Sequence, residues 1–455
     1  MGYLSRTGGV TAVTFAVAMA TVATSLLSPT VAKAQVRMTV PPQSEAVALR
    51  GATIHTVTNG VIENGTILFE NGVIRAIGTD VEIPTGTRVV DVSGKHIYPG
   101  LIDAYSTVGI SEIGSVDVSS DVNELGDFNP NVRAEVAVNA ESRHIGTTRS
   151  AGVLVTLTTP EGGLISGMSS AMSLEGWDWE EMSLESAAAL NVNWPNPNSR
   201  GGRGGRGRGF GPGPQESPPT YAEQVQQLKD FFAEARAYRD ATTAGEEVRT
   251  DSRYTAMIPA LNGEIPVVVS ADGAAQINDA ITWAQQEGVR LVIRGGGDAI
   301  HVADRLVAND IPVILTSTMA APGRDYEGYD GAYTMPARLH EAGVRFAISG
   351  GSGALYTNRL PWEAGVAVAF GLPEEEALKA VTINAAEFMG ISDRVGSLEP
   401  GKQATLLITT GTPLDMTSDI EQSYIQGREI DMNDIQKHFF DKYMEKVRQN
   451  RRVVS

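Results

Sequence analysis

Val90-Asp-Val-Ser-Gly-Lys-His-Ile-Tyr-Pro-Gly-Leu-Ile-Asp-Ala-Tyr-Ser-Thr107 is the stretch on which the fold turns, because the patterning of the chain changes on either side of it. Before it, from Glu45, come short β-type runs at Val47 to Ile54, Ile67 to Phe69, Val73 to Ile77 and Arg88 to Val92. Asn59-Gly60, Asn64-Gly65 and Asn71-Gly72 punctuate them, and Asn-Gly supplies the positive φ angles that tight hairpins need. A small antiparallel sheet is expected there. After it, from Tyr98 to Val395, apolar runs at Val153 to Leu157, Val267 to Val269, Leu291 to Ile293, Val313 to Leu315 and Phe346 to Ile348 alternate with helix-like segments. That alternation is the signature of βα units around a parallel sheet.

Three helices can be placed. Thr220-Tyr-Ala-Glu223 reads as a capping box opening an amphipathic helix with Val225, Leu228, Phe232, Ala235 and Tyr238 on one face. Another runs to Glu287 from about Ile277, and a third opens at Pro373 with Glu374 to Glu376 at its positive end. Met432 to Arg452 reads as a terminal helix whose Phe439, Phe440, Tyr443 and Val447 serve packing, in the core or at an interface.

The chain has 455 residues, six histidines, no cysteine and a net charge of −18. Without cysteine, disulfides and thiolate nucleophiles or ligands are excluded. Residues 1–34 read as a cleaved export signal: Arg6, an apolar run from Val10 to Leu27, then Ala32-Lys33-Ala34. Its removal takes two cations and no acid, leaving a still more acidic chain that argues against nucleic acid as a partner. Residues 35–44 read as a mobile lead-in. The glycine and arginine tract at 199–214 has too much backbone entropy to order alone and reads as a disordered loop.

The opening stretch resembles the entry to the barrel in amidohydrolase-superfamily enzymes, where Pro-Gly-Leu/Phe-Ile-Asp leads into a His-x-His metal pair. Three further stretches share the resemblance: Ala151-Gly-Val-Leu-Val155 with Gly162-Gly-Leu-Ile-Ser-Gly-Met-Ser-Ser170, close to imidazolonepropionase-like proteins; Ile265 to Ile314; and Leu360 to Leu407. It implies a (β/α)₈ TIM barrel over residues 98–395. A β-sandwich is implied from both ends of the mature chain, 45–97 and 396–430, since the first piece alone could hardly bury both faces of a sheet. A helix over 431–455 follows.

Members of that family activate water on divalent metal ions held by histidines of strands one, five and six and an aspartate of strand eight. At the corresponding positions this chain has Tyr105 and Thr107, then Ser270 with Asp272 beyond it, then Gly295 after Arg294, and finally Gly351 and Ser352 within a glycine-rich run. Asp103 completes the candidate pocket. No metal or other cofactor is expected, and Asp103, Asp272 and Asp298 would be the ligands of a relocated oxygen-rich site. Gly167-Met-Ser-Ser-Ala171 and Gly350-Gly-Ser-Gly-Ala354 are near misses to a hydrolase elbow with no base beside them. The reading is an exported, periplasmic or extracellular protein that has lost metal-dependent hydrolysis and serves as a binding or partner subunit. Its partner would be an active homologue or a second copy, with a small-molecule ligand and no insertion in a membrane after signal cleavage. The alternative is a working hydrolase of C–N bonds with a divergent site.

Overall fold

The structure is a computed structural model that describes residues 39–197, 219–324, 327–351 and 353–454. The expected export signal 1–34, the tract at 199–214 and Ser352 lie outside the described residues.

The first five strands are β1 (Val47–His55), β2 (Val61–Glu70), β3 (Val73–Gly78), β4 (Arg88–Asp91) and β5 (His96–Pro99). Their sheet is completed from the far end of the chain. β5 lies parallel to β1 on one side and antiparallel on the other to a strand at Leu406–Thr409, which pairs in turn with Ile420–Ile425 and then Arg428–Ile430. Phe69 and Tyr424, one from each end, meet edge to face at 5.1 Å in the core of this sheet. Asn64-Gly65 is not a turn: β2 runs through it with Asn64 at φ +50°, and the ladder to β1 shifts register beside Gly65. The side chains of Ile54 and Ile62 crowd Gly65 so closely that a β-carbon would lie 2.7 Å from Ile54 Cδ1. Asn-Gly serves here as a bulge that bends the strand.

Pro99-Gly100-Leu101 carries the chain from this sheet into the barrel. Gly100 donates its N–H to Thr405 in the first sheet, and Leu101 donates its own to Gly152 in the second. A β-carbon on Gly100 would lie 2.7 Å from Leu154 Cδ1, so glycine is what lets the two sheets approach.

The barrel strands are β6 (Leu101–Ser106), β7 (Val153–Thr158), β8 (Ile165–Ser173), β9 (Ser183–Asn193), β10 (Val267–Ala271), β11 (Leu291–Gly295), β12 (Val313–Leu315) and β13 (Phe346–Ile348), hydrogen-bonded in that order. The fold is a (β/α)₈-type barrel with one departure from strict alternation. β8 runs antiparallel to both neighbours. Only residues 159–164 join it to β7, far short of the dozen or so that a parallel crossover needs. β6 and β13 close the barrel through side chains: Ser349 Oγ donates to the Tyr105 carbonyl at 2.8 Å, Gly350 N–H donates to Asp103 Oδ2 at 3.1 Å, and the Ser106 and Thr357 hydroxyls lie 2.8 Å apart.

Inside the barrel, Ile102, Val155, Val268, Val292, Ile314 and Ala347 belong to one apolar cluster. Outside it, Val267, Val269, Leu291, Ile293 and Val313 pack against the helices. The Thr220 capping box is present, and helix Tyr221–Thr243 buries Leu228, Phe232 and Ala235, with Phe231 beside them. The next helices run Ala274–Glu287 and Glu374–Ala380. The terminal helix Ile435–Val454 is not in the core, with Phe440 65% and Tyr443 57% exposed. The end of the lead-in is not mobile either: Thr39 is buried, and Val40 donates its N–H to Glu175 at 2.9 Å. Among the described residues no helix is long and apolar enough to cross a membrane.

Candidate functional site

The C-terminal strand ends of such a barrel are where its loops assemble a site. Strand register decides which side chains face that lumen. Asn193 pairs with Ser270, and Ser270 with Arg294, so these three lie side by side on β9, β10 and β11, one layer above Val268 and Val292. Gly295, the position aligned with a family histidine, falls on the opposite face. It has φ +98°, and a β-carbon there would lie 2.4 Å from Asp272 Oδ1. Arg294 is therefore the inward group of its strand.

Tyr105 reaches Arg294 from the other side of the barrel. Its ring lies 4.4 Å from the guanidinium carbon, and the two residues are only 5% and 6% exposed. A desolvated stack of this kind contributes about 2 kcal/mol. The Tyr105 hydroxyl donates to Glu161, and Arg294 Nη2 donates to Asn193 Oδ1 at 3.2 Å. Asn193 donates in turn to the carbonyls of Gly162 and Gly163 at 3.2 and 2.9 Å, fastening the loop that carries Glu161. Burial pushes the Tyr105 phenol above its ordinary range, with the Glu161 charge adding to the shift and Arg294 opposing it. Arg294 Nη1 and Thr107 Oγ1 are buried with no hydrogen-bond partner.

The other expected site residues do not join this group. Asp103 is fully buried at the β6–β13 seam, where its carboxylate accepts from the N–H groups of Tyr105 at 3.0 Å and Gly350 at 3.1 Å. Burial raises its pKa to about 7 in spite of those bonds. Asp272 is exposed at the rim, beside Gly295. Asp298 pairs with Arg324 and caps the helix at Ala274. Gly351 is buried, with its N–H on Ser349 Oγ at 3.3 Å. Asp103, Asp272 and Asp298 thus make no relocated site, and among the described residues no three His, Asp or Glu side chains gather in a way that could hold a metal ion.

The residues at the family's metal positions do not fit a divalent ion. Tyr105, Thr107, Ser270 and Gly295 offer neither imidazole nor carboxylate, and a guanidinium occupies the lumen between them. Nor, among the described residues, does either serine of the Gly167–Ala171 near miss stand in for the metal. Ser169 and Ser170 are wholly buried in β8, where Ser169 accepts from Asn191 Nδ2 at 2.6 Å and Ser170 donates to the Ser186 carbonyl at 2.7 Å.

Sequence reasoning placed Tyr105 and Arg294 in one pocket but missed Glu161 and Asn193. Glu161 stands immediately before the quoted Gly162-Gly163 run, and Asn193 closes a strand whose register was unknown. It also missed a pair in the first sheet, where His55 Nε2 and His96 Nδ1 lie 3.0 Å apart and His55 stacks on Tyr98 at 4.1 Å. Burial, then the His96 charge, lowers the His55 pKa to about 4.

Comparison with known proteins agrees with this architecture. Residues 328–440 match the model of the amidohydrolase family. Imidazolonepropionase of Geobacillus kaustophilus is 27% identical over 77% of this chain and 84% of its own length. That of Syntrophobacter fumaroxidans is 40% identical over a shorter span, 17% of this chain and 19% of its own. The crystal structure of an amidohydrolase from Thermotoga maritima superposes with a TM-score of 0.75 at 26% identity, covering 85% of this chain and 99% of that one.

Proposed function

We propose that this chain, which belongs to the amidohydrolase superfamily, has exchanged metal-dependent hydrolysis for a binding role, as an exported subunit acting beside an active homologue. One observation carries the reading. The lumen that would hold a metal holds the Tyr105–Arg294 stack, and a fixed buried cation repels a second one at that place. The scaffold around it is kept: the Pro-Gly-Leu entry, the seam at Asp103 and the composite first sheet are all intact. Export rests on residues 1–34 alone. The alternative, hydrolysis of C–N bonds by a divergent site, needs a nucleophile with a base in reach, and neither Ser169 nor Ser170 has one.

The test is to isolate the protein from its own cells by gentle lysis and size fractionation. The reading expects it to elute well above the mass of a single cleaved chain, itself below the 48.2 kDa of all 455 residues, together with a second chain of the same superfamily that keeps its metal histidines. Elution alone, with turnover of cyclic amides or dipeptides by the purified chain, contradicts it.

A further inference from the structure

Arg294 is a cation that the fold has buried without neutralising. Its exposure is 6%, one edge of its fork is held by Asn193, its face is covered by Tyr105, and Nη1 has no hydrogen-bond partner. Among the described residues no carboxylate lies within ion-pair distance of it. A charge removed from water in this way is strongly destabilising unless an anion completes it. The surroundings define that anion. Ser270, the ladder neighbour of Arg294 on the same face, is half-buried, and among the described residues no hydrogen bond engages its hydroxyl, while Asp272, two residues further on, is exposed at the rim.

We infer that the barrel lumen binds a small-molecule carboxylate, held by Arg294 Nη1 and the Ser270 hydroxyl. A planar monoanion matches the free edge of the guanidinium fork. A phosphate dianion would carry an uncompensated charge into a mouth that already holds Glu161 and Asp272. The inference rests on the binding role proposed above and names its ligand class. Asn193 and Tyr105 are positioning residues for the guanidinium. Glu161 is the internal rival, since a carboxylate so close to the stack is the group that would pair with Arg294 in its place.

Propionate is the probe, titrated into the full chain in a zwitterionic buffer without added salt and followed by thermal unfolding, with inorganic phosphate in parallel. The wild type should gain about 3 °C at a hundredfold excess over the dissociation constant. Arg294→Met should lose that gain while melting no lower than the wild type without ligand, because it removes a buried charge. Arg294→Lys should keep the gain with at least tenfold weaker affinity. A wild type that does not respond, or an Arg294→Met variant that responds equally, overturns the proposal. So does a response to propionate seen only in Glu161→Gln, which would make Glu161 the resident counter-ion. An equal gain with phosphate overturns the carboxylate assignment. The titration is repeated after EDTA treatment and after zinc addition. A propionate response that requires zinc would refute the loss of the metal site, whereas its absence in every metal state refutes the arginine site alone.

Discussion

Glu175→Ala should lower the unfolding free energy by about 3–5 kcal/mol, one of the two largest effects expected of a single change in this chain. Glu175 follows β8, and Arg149 closes the helix Arg143–Ser150 that leads into β7. The two form an ion pair with side-chain exposures of 1% and 3%. Glu175 also receives the Val40 N–H, so one carboxylate ties the lead-in, the helix and the barrel floor together. Removing it leaves the guanidinium buried against the floor with its principal anion gone. The pair itself contributes far less than either deletion costs, because two charges had to be desolvated to form it. The double variant Arg149→Met/Glu175→Leu should therefore lie within about 2 kcal/mol of wild type. Urea denaturation of the single and double variants reads this directly, and a single variant costing under about 1 kcal/mol would show the pair to be effectively solvated.

The second large effect is a pH dependence set by Asp103. Its pKa rises from 3.8 in the unfolded chain to about 7 in the folded one, because full burial outweighs the N–H groups of Tyr105 and Gly350. The folded state therefore holds a proton that the unfolded state has released. The stability this confers is complete below the unfolded pKa and is lost as pH rises towards the folded one. Between pH 4 and 7 this group alone should remove about 1.4 kcal/mol per pH unit. Asp103→Asn cannot ionise and removes that slope. The unfolding free energy of the wild type minus that of the variant should fall steadily across the window and flatten above it. A flat difference curve would mean that Asp103 is ionised throughout, held by its hydrogen bonds.

These two groups lie at opposite ends of the barrel. The Arg149–Glu175 pair braces the floor, where this architecture keeps its stability, and the seam at Asp103 leads up to the face where loops assemble the site. The division is preserved although the residues at the metal positions of the resembled family differ here.

Much of the scaffold was legible in the chain itself. The Pro99-Gly100-Leu101 entry could be read because its function is local: a proline ends one strand and a glycine admits Leu154 beside the next. The joining of the two terminal pieces, seen in the pairing of β5 with Leu406–Thr409, was implied by the family resemblance and fitted the shortness of residues 45–97, too few to cover both faces of their own sheet. The reversal of β8 could not. Ile165-Ser-Gly-Met-Ser-Ser-Ala171 and its neighbours show no β-branched periodicity, and the direction of the strand is set by the shortness of residues 159–164. Tyr105 and Arg294 stood at the right positions, yet their stacking depends on two strands from opposite sides of the lumen, and the clamp of Asn193 on the glycine loop depends on register. Strand register is a tertiary property, decided by burial of whole faces rather than by any one residue. The sequence left the terminal helix between core and interface for a related reason: apolar spacing shows that a face exists, and says nothing of what covers it.

The most direct test of the account is elemental analysis of the full chain, purified without chelator after zinc, manganese and magnesium have each been offered. The account predicts well under about 0.1 metal per chain, because Tyr105, Thr107, Ser270 and Gly295 supply no ligand set and Arg294 occupies the lumen. Near-stoichiometric metal, retained through gel filtration and lost on mutation of Asp103 or Asp272, would contradict it and favour the alternative of a working hydrolase.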